Sequence, residues 1–243
     1  MKIKEIQNNI KITAPKLATS GRPSNLADFL NYVGLQIIIG LSGSGKTSLI
    51  YNLLNGTKQN NLYNNVFHSI YYITPSDTVD LNIDPDKVII LDDDDNIANI
   101  LEDIIENEKD LGTDEESHHI AIFIDDAVNY LSTQKDSMRA FRKLIMNGRH
   151  ILGNNSSVGT FLVSQKARSI PLSIRSQANA IYFFNSTKAE KLVVQEEFLP
   201  LDKQPSQKIM DYIFDIPYNF LYINNNLPIK HRIFNNFNQL IFE

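Results

Sequence analysis

Short apolar runs recur along the chain and alternate with stretches that have helical spacing. The runs cover residues 35–39, 70–73, 87–91, 120–124, 159–164 and 180–184. Runs of this length that are rich in β-branched and aromatic residues and bounded by turn formers predict buried strands. Because helical stretches separate them, we predict an α/β fold with a mainly parallel sheet and helices on both faces.

Three helical stretches are clear enough to place. Residues 97–105 follow the acidic run 92–95, so the predicted helix begins where its dipole favours carboxylates. A basic helix with a buried side over 140–145 is expected to end at Gly148 in the left-handed cap conformation. Residues 188–198 are also amphipathic.

The remaining segments divide the chain into three predicted parts. Residues 1–33 form an N-terminal arm, with a short helix predicted at 24–32, and residues 34–200 form the core. Residues 201–243 are read as a C-terminal extension that packs on the core and includes a hairpin. The charged residues 106–117 are predicted to be a solvated loop.

Composition narrows the class of protein. The 243 residues, with 42% hydrophobic and 21% charged residues, suit one globular domain and exclude a disordered chain. The absence of Cys excludes disulfides and Cys-ligated zinc. We find no membrane span and no signal-peptide core, and expect a soluble intracellular protein. The net charge of -5 argues against a surface that is basic throughout, but it allows a locally basic pore.

One strand-to-helix junction carries a phosphate-binding motif. Residues 40–47 read GLSGSGKT and match G-x-x-x-x-G-K-[ST]. Glycines let the backbone curl so that consecutive N–H groups point at phosphate oxygens. Lys46 is predicted to reach the β- and γ-phosphates, and Thr47 to coordinate Mg²⁺. The predicted nucleotide-binding residues are Gly40, Ser42, Gly43, Ser44, Gly45, Lys46, Thr47 and Ser48.

Two apolar runs end in paired carboxylates, one of which should help to hold Mg²⁺. Asp92 and Asp93 open a longer acidic run, for which helix capping and solvation are sufficient explanations. We therefore favour the second pair, with Asp125 orienting the metal and Asp126 polarising the attacking water. Asp126 stands where Glu is commoner, and its shorter side chain reduces its reach. The earlier pair stays the alternative.

These motifs, with a third segment, resemble the FtsK-HerA-type DNA-packaging ATPases of nucleocytoplasmic large DNA viruses and their virophages. The third segment combines Arg149-His150, a strand that ends on Gln165, and the Pro-x-x-Ile-Arg order at 171–175. The resemblance covers roughly residues 35–185 and implies a RecA-like (ASCE) P-loop NTPase fold. It also implies an ATP- and Mg²⁺-dependent motor that pumps double-stranded DNA into a preformed capsid.

The resemblance assigns further roles. Gln165 would sense the γ-phosphate, and an Arg of one subunit would complete the site of its neighbour in a ring of about five or six subunits. Arg149 is the favoured residue for that trans role, with Arg175 and Arg142 as runners-up. A capsid or portal-vertex protein is the other expected partner. The expected location is the host cytoplasm, at viral factories, or the virion.

Lys166 and Arg168, next to Gln165, are candidates for contacts with DNA phosphates, which carry no sequence information.

Other functions fit the P-loop as well. A small nucleoside or nucleotide kinase would need an Arg-rich lid, and a GTPase-type switch would need an Asn-Lys-x-Asp segment, which we do not find. A related ring that unwinds DNA or transfers plasmids also stays open.

Overall fold

The computed structural model describes residues 23, 26–55, 62–63, 65–77, 81–113, 116–153 and 155–241. Most of the predicted N-terminal arm lies outside these residues. Where the sequence predicts a short helix, residues 26–32 instead form turns, with Leu26 N donating to Pro23 O and Leu30 N to Ala27 O. Among the described residues, no helix is both long and apolar enough to cross a membrane.

A single nine-stranded sheet runs through the molecule in the order β3-β2-β4-β5-β1-β6-β7-β8-β9. The first six strands in this order are parallel, and β7, β8 and β9 continue the sheet antiparallel. The strands are β1 (Gly34–Ile39), β2 (Ser69–Thr74), β3 (Val88–Ile90), β4 (His118–Asp125), β5 (Ser156–Ser164), β6 (Ala178–Phe184), β7 (Phe220–Asn224), β8 (Ile233–Asn235) and β9 (Asn238–Gln239).

Seven α-helices connect the strands of the described chain. They are α1 (Lys46–Asn55), α2 (Ile97–Glu108), α3 (Val128–Thr133), α4 (Lys135–Asn147), α5 (Leu172–Arg175), α6 (Lys188–Glu197) and α7 (Lys203–Phe214). The helices α3 and α7 are not predicted from the sequence. The helices α1, α2, α4 and α6 confirm the predicted alternation of strands and helices.

Alternate residues of the central strands face two separate hydrophobic layers. Ile37 of β1 and Ile122 of β4 lie in the layer that also contains apolar side chains of α2, α4, α6 and α7. Ile38 and Phe123, one position further along each strand, lie in the layer that contains the buried face of α1. The predicted sheet with helices on both faces is confirmed, and every central strand is buried on both sides, as parallel strands usually are.

Three local predictions are wrong. Gly148 has φ -53° and not a left-handed conformation. A glycine suits this position because a Cβ there would lie 3.0 Å from the carbonyl oxygen of Val158. The helix expected after the acidic run 92–95 is present as α2, but the acidic residues do not cap it, because the Asn96 side chain accepts from Ala98 N instead. The segment predicted as a solvated loop begins inside α2, and Glu108 is buried.

The carboxyl ends of the parallel strands lie along one edge of the sheet. This edge therefore brings together the ends of β1, β4 and β5, where the phosphate-binding motif, Asp125-Asp126 and Gln165 lie. Strand β5 lies between β1 and β4. In open parallel sheets this edge is where ligands bind.

Candidate functional site

The loop between β1 and α1 has the backbone of a phosphate cradle. Gly43 and Gly45 have φ +73° and +106°, which side chains rarely adopt. A Cβ on Gly40 would lie 2.3 Å from Ser44 Oγ and 2.8 Å from Phe184 Cβ, so only Gly fits there. The Gly40 N–H donates to Ser164 O at 3.1 Å and thereby ties the start of the loop to the end of β5.

Lys46 is the first residue of α1, and its side chain folds back over the loop. Its Nζ donates to the carbonyl oxygens of Gly40 at 2.8 Å and of Leu41 at 3.2 Å. The ammonium group therefore lies above the loop at the amino end of a helix, where an anion is also favoured by the helix dipole. The role of Lys46 as a phosphate ligand stays a prediction.

Asp125 is the last residue of β4 and is held by a neighbouring strand. Tyr72 on β2 donates its hydroxyl to Asp125 Oδ2 at 2.5 Å. Burial raises the pKa of Asp125 above its ordinary value, against the opposing effect of the Tyr72 hydrogen bond. Burial and the Asp125 carboxylate likewise raise the pKa of Tyr72, so the tyrosine stays a hydrogen-bond donor.

Asp126 follows in a left-handed conformation with φ 52°, and its N–H donates to Val163 O at 3.1 Å. Asp and Asn tolerate this region far better than most residues do. The conformation turns the Asp126 side chain away from the strand and toward Gln165, whose Nε2 donates to Asp126 Oδ2 at 2.9 Å. The structure thus joins two residues predicted separately.

One cavity of about 370 Å³ connects these groups. Its walls include Lys46, Thr47, Asp125, Asp126 and Gln165. The alternative pair does not line it, because β3, which precedes Asp92 and Asp93, is the outermost strand, with β2 between it and β4. The arrangement can hold a polyphosphate with a carboxylate and an amide beside its terminal phosphate.

The residues present fit a Mg²⁺ ion at this cavity. Asp125 Oδ1 is buried and has no hydrogen-bond partner among the described residues, while Oδ2 is held by Tyr72. Within the described ranges no group of three or more His, Cys, Asp and Glu side chains has the spacing of a metal site. Mg²⁺ is usually bound by one or two protein oxygens together with phosphates and water, and the free Asp125 Oδ1 can supply one of them. Thr47 and Asp125 are the residues that would hold the ion.

Arg149 lies far from this cavity in its own chain. It is exposed and follows Gly148, whose carbonyl oxygen accepts from Val158 N at 2.7 Å near the start of β5. The strands rise by about 3.3 Å per residue, so the length of β1 separates Arg149 from the phosphate loop by about 20 Å. Arg149 does not act on the site of its own chain.

Arg175 and Arg142, the two runners-up, differ in whether their side chains are free to reach a neighbouring subunit. Arg175 is buried, and its Nε and Nη2 form a two-point ion pair with Glu197 at 2.7 and 2.5 Å. Its Nη1 donates to the carbonyl oxygens of Ala167 and Ile170. The structure thus gives Arg175 a role inside the chain and contradicts its prediction as a trans residue. Arg142 is exposed and donates to Ser173 Oγ at 2.8 Å.

The basic residues beside Gln165 lie on an exposed loop. Lys166 and Arg168 are both exposed, and the Arg168 backbone N–H donates to Glu190 Oε2 at 3.1 Å. His150 is exposed in the turn after α4. The side chains of Lys166 and Arg168 are therefore accessible to a large polyanion.

Sequence reasoning missed a second cavity, of about 860 Å³, on the opposite side of the phosphate loop. Phe29, Tyr218, Phe220 and Phe237 line it together with the start of α1. The pairing of β6 with β7 and of β7 with β8 brings Phe220 and Phe237 to the loop, and Phe29, from near the other end of the chain, packs on Phe237.

The sequence matches a known protein family. A family model described as Poxvirus A32 protein matches residues 28–212, more than half of the chain. Among curated proteins, none matches the sequence significantly.

Solved structures resemble the fold. The genome packaging NTPase B204 from Sulfolobus turreted icosahedral virus 2, in complex with AMPPCP, aligns with a TM-score of 0.55 and 17% identity, over 81% of this chain and 95% of that chain. ATPases 2 and 3 of EssC from Geobacillus thermodenitrificans align with a TM-score of 0.52 and 13% identity, over 94% of this chain and 48% of that chain. The pCW3 conjugation coupling protein TcpA aligns with a TM-score of 0.51 and 11% identity, over 84% of this chain and 60% of that chain. At these identities the likeness shows the fold, which is that of P-loop ATPases, as predicted.

Proposed function

Because this chain belongs to the poxvirus A32 protein family, we propose that it is an ATP-hydrolysing motor that packages a viral genome into a capsid. The observation that carries the proposal is the single cavity shared by Lys46, Thr47, Asp125, Asp126 and Gln165. Such a cavity provides for phosphate binding, metal binding and water activation at once. The fold it shares with B204, a genome packaging NTPase, supports the same function.

ATP binds with its phosphates against the N–H groups of the loop. Lys46, which now donates to Gly40 O and Leu41 O, turns to the β- and γ-phosphates. A bound Mg²⁺ would neutralise charge that develops on the phosphate oxygens, and Thr47 and Asp125 would hold it. The protein supplies mainly positioning and charge, which is what phosphoryl transfer requires.

Asp126 and Gln165 act on the attacking water. The hydrogen bond from Gln165 Nε2 to Asp126 Oδ2 fixes the carboxylate and leaves its other oxygen to accept a proton from water. Gln165 follows the last residue of β5 and lies beside the γ-phosphate position. Loss of that phosphate alters the contacts of Gln165, and the exposed Lys166 and Arg168 follow directly in the chain.

The motor is a homo-oligomeric ring in which Arg149 acts on the neighbouring site. Its distance of about 20 Å from the phosphate loop of its own chain supports action on a neighbour, because a rotated copy can bring it to a γ-phosphate. A guanidinium at that point stabilises the charge of the transferring phosphoryl group. Lys166 and Arg168 contact the phosphates of double-stranded DNA in the pore, and a capsid or portal protein anchors the ring.

The test is steady-state ATP hydrolysis by the full chain, with and without long double-stranded DNA, over a range of protein concentrations and at two salt concentrations. We expect hydrolysis per subunit to rise with protein concentration and with DNA, and the stimulation by DNA to weaken at high salt because phosphate contacts release counterions. Lys46→Ala is the matched inactive control.

DNA-independent hydrolysis would contradict the motor. Transfer of phosphate to a nucleoside, measured with the same protein, would show a kinase instead. Hydrolysis that survives Lys46→Ala would remove the phosphate loop from the reaction.

A further inference from the structure

Two cavities lie on opposite sides of the phosphate loop and share part of its wall. Gly43, Lys46 and Thr47 line both of them. The first contains Asp125 and Gln165, and the second is the aromatic cavity that contains Tyr218. A polyphosphate that lies on the loop therefore has one end in each cavity.

The orientation of the nucleotide depends on the chemistry of the two ends. The carboxylate side receives the terminal phosphate, because the catalytic residues lie there. The aromatic cavity therefore receives the α-phosphate, the ribose and the base. Ser48, Leu49 and Asn52, on the first turns of α1, also line the aromatic cavity. This cavity therefore extends along α1 and away from Asp125, which lines the other cavity.

The walls of the aromatic cavity provide ring faces and few free polar groups. Phe237 packs between Phe29 and Phe220, with ring centroids 5.8 and 5.3 Å apart. The side-chain amide of Asn236 is used within the chain: Nδ2 donates to Asn219 Oδ1 at 2.9 Å, and Oδ1 accepts from Phe220 N at 2.9 Å. Asn52 Nδ2 donates to Ser48 O at 2.7 Å.

Tyr218 is placed as a cover over this cavity. It is 73% exposed and has φ 65°, an unusual conformation for a bulky residue. A Cβ placed on Gly45 would lie 3.6 Å from Tyr218 Cδ1, so the ring lies beside the phosphate loop itself. An exposed ring held at the mouth of an aromatic cavity can stack on a flat ligand.

We propose that the aromatic cavity binds the nucleobase by stacking, with Tyr218 on the outer face of the base, and that it prefers purines without distinguishing adenine from guanine. Stacking depends on ring area, and every base offers a π-face, whereas discrimination between purines needs hydrogen-bond partners that match one base. The side-chain amides that line the cavity already donate within the chain. The inference rests on the proposed nucleotide hydrolysis and assigns the base end of that site to the aromatic cavity, with Tyr218 as its outer wall.

The experiment measures binding of ATP, GTP, CTP and inorganic tripolyphosphate, with Mg²⁺, by calorimetry on the full chain. Wild-type protein should bind ATP and GTP within about tenfold of each other and CTP more weakly, because a pyrimidine offers less ring area for stacking than a purine does. Removal of one stacking ring of the protein typically weakens a base contact by about 5- to 100-fold. Tyr218→Asn, which keeps a residue that tolerates φ 65°, should weaken ATP by a similar factor and leave tripolyphosphate unchanged. Tyr218→Phe should bind ATP like the wild type.

Tyr212→Ala is the matched control, since Tyr212 is 65% exposed on α7 and does not line the aromatic cavity. A preference between ATP and GTP of more than about 100-fold would overturn base binding by stacking alone. Equal loss of ATP and tripolyphosphate in Tyr218→Asn would show that Tyr218 supports the loop and not the base. If Lys46→Ala bound all four ligands like the wild type, the proposed function would fail instead, so the two failures are distinguishable.

Discussion

Tyr72 and Asp125 join two neighbouring strands at the site: the tyrosine hydroxyl on β2 donates to Asp125 Oδ2 at 2.5 Å. The bond holds one carboxylate oxygen and leaves Oδ1 buried without a partner among the described residues. A carboxylate held in this way is oriented for a cation. Loss of a partner that orients a metal-binding carboxylate typically weakens metal binding or activity by about 10- to 100-fold.

Tyr72→Phe should therefore raise the Mg²⁺ concentration required for half-maximal ATP hydrolysis by about 10-fold or more. The phenyl ring keeps the packing against Phe123, whose centroid is 6.0 Å away, so the fold should be retained. Because the Tyr72 hydrogen bond lowers the pKa of Asp125, its loss should also shift the acidic limb of the pH–rate profile to higher pH. Magnesium titrations at several pH values measure both effects.

Tyr71→Phe is the control, because Tyr71 lies next in the same strand and donates to Glu108 Oε1 at 2.6 Å, away from the site. It should leave the Mg²⁺ dependence unchanged. The proposed role of Tyr72 is wrong if both variants show wild-type Mg²⁺ curves.

Asp126→Asn should lower the turnover number by about 10²- to 10⁴-fold while ATP affinity stays near the wild-type value. Asn tolerates φ 52° as Asp does, so the substitution removes the charge and keeps the backbone. Single-turnover hydrolysis and nucleotide binding, measured separately, test this split. The exposed Asp136→Asn, in the first turn of α4, should have neither effect. Wild-type turnover in Asp126→Asn would assign water activation to another group.

The local features of the site could be predicted because neighbouring residues determine them. The phosphate loop needs its glycines in sequence, and Asp125 ends an apolar strand. The α7 helix was not predicted; in the structure Pro205 is its third residue, in the first turn, where the missing N–H is tolerated.

Contacts between distant parts of the chain could not be predicted. The partner of Asp125 depends on the pairing of β2 with β4, and that of Arg175 depends on the docking of α6. The aromatic cavity joins Phe29 to Phe237, more than two hundred positions later. No periodicity within a segment encodes such a distance, because it depends on the order of strands in the sheet.

Arg149→Ala and Lys46→Ala should each abolish most hydrolysis, and a mixture of the two variants should recover part of it. Recovery is expected because some interfaces then combine an intact phosphate loop from one subunit with an intact Arg149 from the next. The measurement is ATP turnover across mixing ratios, after the subunits have exchanged. Lys46→Ala mixed with Arg142→Ala tests the remaining runner-up. Absence of any recovery with Arg149→Ala would favour a structural role for that residue.

A cluster of histidines lies near the amino ends of β2 and β4, at the edge of the sheet opposite the candidate site. This cluster should make the free energy of unfolding depend on pH. His119 is 2% exposed, and its Nδ1 pairs with Ser157 Oγ at 2.8 Å. Burial, and then the nearby His68 and His118, lower the pKa of His119 to about 4 from 6.5. Burial alone would raise the pKa of Glu108, but hydrogen bonds from groups that include Tyr71 and His118 lower it to about 2 from 4.5.

The two shifts act in adjacent pH ranges and in the same direction. Below about pH 6.5 the unfolded chain takes up a proton at His119 that the folded chain refuses until about pH 4, so stability falls as the pH falls through this range. Glu108 stabilises the fold fully above pH 4.5 and loses its contribution as the pH falls toward 2. The His119 step should be of the order of 1–3 kcal/mol.

His119→Asn should remove most of the loss of stability between pH 6.5 and pH 4.5, because an amide can pair with Ser157 Oγ but does not titrate. Urea unfolding at about pH 7.5, 5.5 and 4.5 gives the free energies of unfolding to compare. His150→Asn is the matched control, since His150 is exposed and should leave the slope unchanged. If the His119 variant lost stability with falling pH as steeply as the wild type does, the pH dependence would have to come from other groups, and burial of a neutral imidazole would not be its cause.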